Sequence, residues 1–377
     1  MKTRGLRRPM AVFLIVCMLL TIMPFSALAY NPDDLGDPVG DPIPIEDSDL
    51  LVQEYQKRDY VDGRPQNVSS LVIYKNPEAT GTNFSIPDYM SSEEPYWGLL
   101  KENTKNVYIE EGVTGIGSHA FSDMPILENI EIPTSVTYIG DNAFSNAQRL
   151  TGALDLSKVE TIGKEAFRGC SRITSVKLDG LKTLGVGAFQ SCGQLSDVTL
   201  SQSLTEIPDY AFANTGITRI EFPDGITRIG NAAFSGCHFY EINLPANLVE
   251  IGDSAFARSL GAPNSRMTSL VIPEKVETIG AKAFYNYQRL ETVEVKSTVL
   301  TKPGEAAFGQ DSHDAFSTEK EIVLGDGSTE MAIVGTSFLT PNEEIKVLFE
   351  SGDNCYLGEV TPMVRDPEND VEPTCTV

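Results

Sequence analysis

The stretch that decides the fold runs from residue 162 to residue 178 and reads Ile-Gly-Lys-Glu-Ala-Phe-Arg-Gly-Cys-Ser-Arg-Ile-Thr-Ser-Val-Lys-Leu. Its Ala-Phe pair recurs along the chain, and the Phe of each copy is Phe121, Phe144, Phe167, Phe189, Phe212, Phe234, Phe256, Phe284 and Phe308. Six of the eight intervals between these residues are 22 or 23 residues long. A fixed period of this length predicts a solenoid, in which each turn buries its apolar side chains against the next turn.

The repeat predicts a strand after each Phe. In the copy quoted above, Ile173, Val176 and Leu178 are apolar, and alternation over the last residues is typical of a strand with one buried face. The same pattern predicts strands at 127–132, 173–178, 195–200, 217–222, 239–244, 267–272 and 290–295. We expect the Ala before each Phe to point inward. The Gly that follows most of the repeated Ile residues is expected to mark a tight bend.

The unit Ile-Gly-x-x-Ala-Phe-x-x-Cys-x-x-Leu-x-x-Ile-x-Leu-Pro resembles the BspA-type leucine-rich repeat of bacterial secreted and cell-surface proteins. The resemblance covers about residues 69–310, and its lead-in includes Pro95-Tyr96-Trp97. It implies a mainly β, right-handed leucine-rich-repeat horseshoe with a parallel sheet on the concave face. About nine turns of 22–23 residues, with a cap at each end, are expected. The resemblance also implies a role in adhesion or protein binding.

The N-terminus has the three-part pattern of a secretory signal peptide. Four basic residues precede an apolar run at 11–23, and the small-residue site Ala27-Leu28-Ala29 follows. We predict a leader over residues 1–29 that is cleaved after Ala29. A membrane anchor is the alternative, but Pro24 interrupts the run before the roughly 20 apolar residues that a bilayer requires. The expected location is therefore extracellular, with or without association to the cell surface, and without a stable transmembrane anchor.

The remaining chain divides by composition and repeat pattern. The predicted parts are an acidic, Pro-rich linker at 30–68, an N-terminal cap at 69–111, the leucine-rich repeat solenoid at 112–310, a small β C-terminal cap at 311–365 and an acidic irregular tail at 366–377. Trp97, the only Trp, is expected to cover the apolar end of the first turn, because the end of a solenoid has to be shielded from water. An exposed Trp that binds a ligand is the competing interpretation.

Five cysteines remain once the leader is removed. Cys170, Cys192 and Cys237 each stand three residues after a repeat Phe, in a slot that mostly holds small side chains in other copies. Buried, inert thiols are the first interpretation. A Cys170–Cys192 bridge between adjacent turns is an alternative, and Cys355 and Cys375 are candidates for a bridge near the C-terminus. We expect no metal site, because none of the three His residues follows zinc-ligand spacing.

The charge of the chain argues against one class of partner. Its 53 acidic and 29 basic residues give a formal charge of -24, whereas nucleic-acid binding needs clustered positive charge. The sequence contains no convincing Ser-His-Asp catalytic pattern and no convincing phosphate-binding loop. Acid pairs such as Glu93-Glu94 and Glu110-Glu111 are better explained as solvated surface. We therefore expect no enzymatic activity and no cofactor.

The outward positions of the predicted strands form the candidate binding surface. Eight strands about 4.8 Å apart give a face roughly 35 Å long, which suits a protein or an extended glycan at a cell surface or in the extracellular matrix. The central strands mix charge signs and include one aromatic residue. The candidate ligand contacts are therefore Lys177, Arg219, Glu221 and Tyr240. For each of them, ordinary solvated sheet surface is the competing interpretation.

These features predict a secreted or surface-associated, non-enzymatic adhesion or interaction protein that is a monomer. The first alternative is a glycan-binding or carbohydrate-active extracellular protein, although the absence of an aromatic stripe counts against it. The second alternative is a structural spacer in an envelope assembly.

Overall fold

The computed structural model describes residues 35–90, 95–259, 266–290, 292–297, 299–300 and 303–309, together with the backbone of four further strands between residues 320 and 360. The predicted leader and the predicted tail at 366–377 lie outside the described residues. One short 3₁₀ helix spans Tyr96–Leu100. The strands, numbered in chain order, are β1 (Asp37–Pro38), β2 (Ile43–Pro44), β3 (Leu50–Val61), β4 (Arg64–Lys75), β5 (Ser85–Ile86), β6 (Thr104–Ile109), β7 (Gly115–Ile116), β8 (Asn129–Glu131), β9 (Tyr138–Ile139), β10 (Thr151–Asp155), β11 (Thr161–Ile162), β12 (Arg172–Lys177), β13 (Thr183–Leu184), β14 (Asp197–Thr199), β15 (Glu206–Ile207), β16 (Arg228–Ile229), β17 (Glu250–Ile251), β18 (Ser269–Ile272), β19 (Thr278–Ile279), β20 (Thr292–Val295), β21 (Lys320–Leu324), β22 (Thr329–Ala332), β23 (Ile345–Ser351) and β24 (Asn354–Val360).

The repeated Ala-Phe pairs stack on one another and form the spine of the molecule, here called the Ala-Phe column. Nine parallel Phe rings, from Phe121 to Phe308, have neighbouring centroids 5.1–5.6 Å apart. Between turns, each Phe amide donates a hydrogen bond to the Ala carbonyl of the following turn; the bond from Phe167 to Ala188 is 2.8 Å long. Nine rings enclose eight intervals, so the protein is a mainly β solenoid of about eight turns. This confirms the predicted fold class.

Two ladders of parallel strands complete each turn. The first, here called the row sheet, contains the strands that follow each Phe: β6 with β8, then β10, β12 and β14, then β18, β20 and β21. The second, here called the Ile-Gly sheet, contains the two-residue strands that precede each Ala-Phe pair: β5, β7, β9, β11 and β13, then β15, β16, β17 and β19. In this sheet the Gly amides donate backward, as from Gly163 to the Ile139 carbonyl of the preceding turn (2.8 Å). The Ala-Phe column, the row sheet and the Ile-Gly sheet form the three sides of the solenoid, and one continuous apolar core fills the space between them.

The repeated Gly has a different role from the one predicted. A methyl group at Gly163 would lie 2.6 Å from the backbone nitrogen of Asp141 and 2.6 Å from the carbonyl carbon of Gly140. The left-handed backbone occurs instead at the residue before each Ala, such as Asn142 (φ 54°) and Tyr210 (φ 58°). The expectation of a tight bend at the Gly is therefore wrong. Gly is needed there because neighbouring turns approach too closely for a Cβ atom.

An antiparallel hairpin replaces most of the predicted linker at 30–68. β3 and β4 pair over their full length, and β4 then pairs in parallel with β6, so that the hairpin begins the row sheet. Asp62 (φ 52°) and Gly63 (φ 73°) form its two-residue turn, which is a common hairpin connection. Leu50 and Ile73 are buried in the main core. The linker prediction is wrong here. It relied on the Pro- and Asp-rich composition of the residues before the hairpin and did not use the Asp-Gly turn signal between two apolar stretches.

The N-terminal end of the Ala-Phe column is closed by Trp97. This side chain is fully buried, and its ring lies 5.5 Å from that of Phe121 in a stacked arrangement. Its Nε1 donates a hydrogen bond to the carbonyl of Ala120 at 2.8 Å. The predicted capping role is confirmed, and the alternative of an exposed Trp is wrong.

The row sheet extends beyond the boundary predicted at residue 310. β21 pairs in parallel with β20, with Glu321 opposite Thr292, in the manner of a further repeat strand. β22 then turns back antiparallel to β21, and β23 and β24 form a separate antiparallel pair. The repeat architecture therefore continues to Leu324. The proposed Cys355–Cys375 bridge lies outside the described residues.

Two of the predicted strands, 217–222 and 239–244, are not formed as strands. His238 N to Ile217 O (3.2 Å) and Tyr240 N to Thr218 O (3.1 Å) join the starts of the two segments, and no backbone bond is formed between residues 219–222 and 241–244. Here Phe222 and Phe239 occupy positions that hold aliphatic side chains in most other copies. They pack edge-on against the Phe234 ring, with centroids 5.7 and 5.6 Å away. The larger rings hold these segments away from strand pairing, so the prediction is wrong at these two turns.

Candidate functional site

The candidate binding surface is the outward side of the row sheet and of segments 217–222 and 239–244, here called the row face. Lys177 lies at the end of β12, where the register places it between Asp155 and Thr199. All three side chains are exposed. Ser157 hydrogen bonds lower the pKa of the Asp155 carboxyl, and the charges of Lys177 and Lys158 lower it further. This part of the row face is therefore a solvated strip in which Lys177 lies beside a carboxylate.

The other three sequence-predicted residues lie further along the row face. Arg219 and Glu221 belong to segment 217–222, and Tyr240 belongs to the next segment. All three are exposed. Within the described part of the chain, no hydrogen bond or ion pair joins these residues to one another or to Lys177. The four side chains are exposed and are spread over four successive turns.

One residue of this surface was not identified from the sequence. The guanidinium carbon of Arg266 lies 5.0 Å from the centroid of the Tyr240 ring, which is the geometry of a cation–π contact. Arg266 borders an insertion in the repeat, so the repeat pattern gave it no position and no sequence signal indicated the contact. Arg266 and Tyr240 thus form a cation–π pair on the row face, and the exposed Arg219 belongs to the segment of the preceding turn.

The three repeat cysteines are free and buried, as the first interpretation predicted. The Cys170 and Cys192 thiols donate to the carbonyls of Phe144 and Phe167, each at 3.1 Å, so each thiol bonds to the turn before its own. The proposed Cys170–Cys192 bridge is therefore wrong. Burial raises the pKa of Cys192 to about 12 and that of Cys237 to about 11. These thiols are packing groups and are chemically inert in the folded state.

We expect the three buried thiols to be unreactive toward a chromogenic disulfide reagent at pH 8. With a pKa of about 12, only about one Cys192 thiol in ten thousand is ionised at that pH. The measurement uses the mature chain carrying Cys355→Ser and Cys375→Ser, in buffer and in denaturant. Three equivalents should react only in denaturant. Rapid reaction of any thiol in buffer would contradict the buried assignment.

An ionic network joins three turns on the Ile-Gly sheet. The Arg228 guanidinium lies 3.1 Å from Asp209, 3.2 Å from Glu250 and 3.8 Å from Glu206. Asp209 also accepts a 2.8 Å hydrogen bond from the backbone amide of Asn231. Burial raises the pKa of Asp209, but the bonds from Asn231 and Arg228 outweigh this effect and hold the pKa below its ordinary value. The single guanidinium of Arg228 contacts carboxylates of both adjoining turns, so the network joins three turns.

Asp209→Ala should lower the free energy of unfolding by about 1–2 kcal/mol at pH 7, because a carboxylate that accepts charge-assisted and backbone bonds is lost. The folded-state pKa lies below the unfolded one. The stabilisation is therefore present above about pH 4 and is lost as the pH falls through the folded-state value. Urea unfolding between pH 3 and pH 7 checks both points. Asp224→Ala, at an exposed carboxylate, is the control, and an equal loss from both variants would be inconsistent with the network.

A second ionic network lies at the N-terminal end of the row sheet, where Lys105 lies 2.8 Å from Asp59 and 3.4 Å from Glu128, and Arg149 contacts Asp62 and Glu128. Among the described residues, no three His, Cys, Asp or Glu side chains gather closely enough to hold a metal ion. None of the helical segments in the same part of the chain has the length and apolar character needed to cross a bilayer.

Stacked turns of mostly 22–23 residues with a parallel strand after most of the repeated Phe residues define a leucine-rich-repeat-type solenoid. The family model described as "BspA type leucine rich repeat region" matches the chain in six copies, at residues 95–216, 153–262 and 262–324. These matches cover more than half of the chain. The protein belongs to the BspA-type leucine-rich repeat family.

Solved structures of other bacterial proteins are similar to this chain at low identity. A leucine-rich cell surface protein from Faecalibacterium prausnitzii is 23% identical over 76% of this chain and 78% of its own, with a TM-score of 0.43. A leucine-rich repeat protein from Bacteroides ovatus is 22% identical over 71% of this chain and 80% of its own, with a TM-score of 0.42. Among curated proteins, no match to the chain was found.

Proposed function

We propose that the protein is a secreted or surface-associated, non-enzymatic adhesion or interaction protein that binds a macromolecule on the row face. Membership of the BspA-type family supports a role of this general kind. The predicted leader supports export. The ligand is a protein or an extended glycan, because the row face extends over several turns and has no need of a deep cavity to make contact.

One observation carries this proposal. Arg219 and Glu221 are exposed and have no side-chain hydrogen bond or ion pair within the described residues, whereas Arg228 on the Ile-Gly sheet has three carboxylates around it. A charged side chain that already has partners gives up those contacts when it binds a ligand, and an unpartnered one does not. Arg219 and Glu221 are therefore better prepared for an external contact than the partnered Arg228.

The test is a comparison of two double variants of the mature protein. Surface proteins from bacterial and host cells are captured on the immobilised wild type, and one captured protein is identified and purified. Its binding to Arg219→Glu/Tyr240→Ala should be about tenfold weaker or more, as expected for loss of basic and aromatic interface residues. Binding that is unchanged in this variant would place the ligand elsewhere.

The matched control carries the same two kinds of change on the opposite side. Tyr138→Ala combined with Lys164→Glu removes an exposed aromatic ring and reverses an exposed positive charge near the Ile-Gly sheet. We expect this variant to bind the purified partner like the wild type. Equal loss in both double variants would indicate a general effect on charge or folding.

A glycan is the second candidate ligand, and the observation in its favour is the half-exposed Tyr240 ring with Arg266 over it. Aromatic rings that are apolar on their faces and open to solvent suit the apolar faces of sugar rings. Retention on immobilised polysaccharide that disappears in Tyr240→Ala would support a glycan ligand. Release of reducing sugar would indicate a carbohydrate-active protein. A structural spacer would show neither behaviour and would bind no partner on the row face.

A further inference from the structure

The Ile-Gly sheet is interrupted at one interface between turns. In most other interfaces the Gly amide donates to the Ile carbonyl of the preceding turn, as from Gly163 to Ile139 and from Gly230 to Ile207, both at 2.8 Å. Pro208 occupies the Gly position of its turn and has no N–H group to donate. β13 and β15 are accordingly unpaired, and the sheet divides into a five-strand part and a four-strand part.

The row sheet is interrupted at the same interface. β14 is the last strand of its ladder, and in the described structure no backbone hydrogen bond joins residues 197–200 to residues 219–222. The edge-on rings of Phe222 and Phe239 hold the following segments out of strand pairing. The turn that contains Phe189 and the turn that contains Phe212 are thus unpaired on two of their three sides.

Side-chain bonds that cross other interfaces are also missing here. Cys192 and Cys237 donate across to the preceding turn, but Thr215, in the equivalent slot, donates to the Phe212 carbonyl of its own turn at 2.9 Å. In the slot after the Gly, Asp141 accepts from the next turn, whereas Val186 has no side-chain acceptor. Each local substitution removes one contact from the same interface.

The Ala-Phe column is the side whose backbone hydrogen bonds continue through this interface in the described structure, and the apolar core is also continuous across it. Three backbone bonds cross it: Gly187 N to Asp209 O at 2.9 Å, Phe189 N to Ala211 O at 2.8 Å and Ser191 N to Ala213 O at 2.8 Å. The Phe189 and Phe212 rings remain parallel, but their centroid distance of 5.6 Å is the longest in the column.

We propose that this interface is a hinge, about which the part of the solenoid up to residue 200 and the part from residue 201 rotate with the Ala-Phe column as the axis. The Ala-Phe column forms one side of each turn. On the other two sides, the described strands of the row sheet and of the Ile-Gly sheet are not hydrogen-bonded across this interface. Lys177 lies on one side of the hinge, and Arg219, Glu221 and Tyr240 lie on the other. The motion therefore changes the spacing of charges along the row face. The hinge follows from backbone geometry and holds whether or not the row face is the ligand site.

The test measures distances between nitroxide labels in the mature protein, without any ligand. The background carries Cys355→Ser and Cys375→Ser, and the buried native thiols stay unlabelled. The hinge pair is Thr137→Cys with Thr205→Cys, which are three turns apart across the interface. The matched control pair, Thr114→Cys with Lys182→Cys, is also three turns apart at the same repeat position but lies wholly on the N-terminal side. All four positions are exposed.

We expect a broader distance distribution for the hinge pair than for the control pair. Pro208→Gly introduces the Gly that neighbouring turns have at this position and restores the missing N–H group. The distance distribution of the hinge pair should therefore narrow toward that of the control pair. Pro273→Gly changes a proline remote from the interface and should leave the distance distribution of the hinge pair broad. Equal widths for the two pairs in the parent protein would overturn the proposal. A broad hinge pair that Pro208→Gly fails to narrow would also overturn it.

Discussion

Phe189→Ala is expected to lower the free energy of unfolding by about 3–5 kcal/mol, the usual cost of truncating a buried Phe. Phe189 is fully buried, and its ring lies 5.2 Å from Phe167 and 5.6 Å from Phe212. The surrounding backbone is held by the bonds of the Ala-Phe column, so the cavity cannot collapse easily. The measurement is equilibrium urea unfolding of the mature protein followed by far-ultraviolet circular dichroism.

Val186→Ala is the matched control, because Val186 lies in the same turn with an exposed side chain. We expect it to change the free energy of unfolding by less than about 0.5 kcal/mol, as is usual for surface positions. Phe189→Ala with an unchanged urea midpoint would show that the ring column contributes little, and the spine described above would have to be abandoned.

Gly163→Ala should have the second-largest effect, a loss of about 1–3 kcal/mol or more from overpacking. The added Cβ atom would lie 2.4 Å from Asp141 Oδ1 and 2.6 Å from the Asp141 backbone nitrogen. A side-chain oxygen can move aside, but the backbone atoms belong to the adjoining turn and are fixed by the Gly163 to Ile139 bond. The loss should appear as a lower midpoint in thermal and urea unfolding.

Gly193→Ala provides the contrast, because no atom lies within 4 Å of the Cβ position at Gly193. An added methyl group there restricts the unfolded chain, so the variant should be neutral or more stable by up to about 1 kcal/mol. Similar losses in both variants would mean that flexibility, and not close approach, is what the repeated Gly supplies.

The repeat predicts the fold because its strongest signal is the Ala-Phe pair. This pair forms the Ala-Phe column, which is present in every described turn. Phe189, Cys192 and Trp97 all have the environment that their position in the pattern predicts. The errors arise where a residue changes the backbone without changing the apolar pattern. Phe222 satisfies the apolar pattern of its copy, and Pro208 departs from the repeat only at the Gly position, so a count of apolar positions does not detect the missing ladder bonds at these turns.

The candidate site was predictable only in part. Outward positions follow from strand alternation, so the exposure of Arg219 and Tyr240 was accessible from the sequence. The partners of a surface charge depend on side chains from other turns, and the repeat pattern does not specify them. Arg228 with its three carboxylates and Arg266 over Tyr240 were missed for this reason. The sequence therefore indicates which residues face solvent, and the structure shows which of those already have partners.

The backbone bonds between turns run in opposite senses on different sides of the solenoid. Amides of the Ala-Phe column donate forward to the next turn, and the Gly amides of the Ile-Gly sheet donate backward to the previous one. The peptide dipoles on the two sides therefore oppose each other along the long axis, unlike those of an α-helix, which add. Each added turn contributes dipoles of both senses, so duplication of a repeat unit can lengthen the row face with a smaller build-up of charge at the ends than lengthening an α-helix produces.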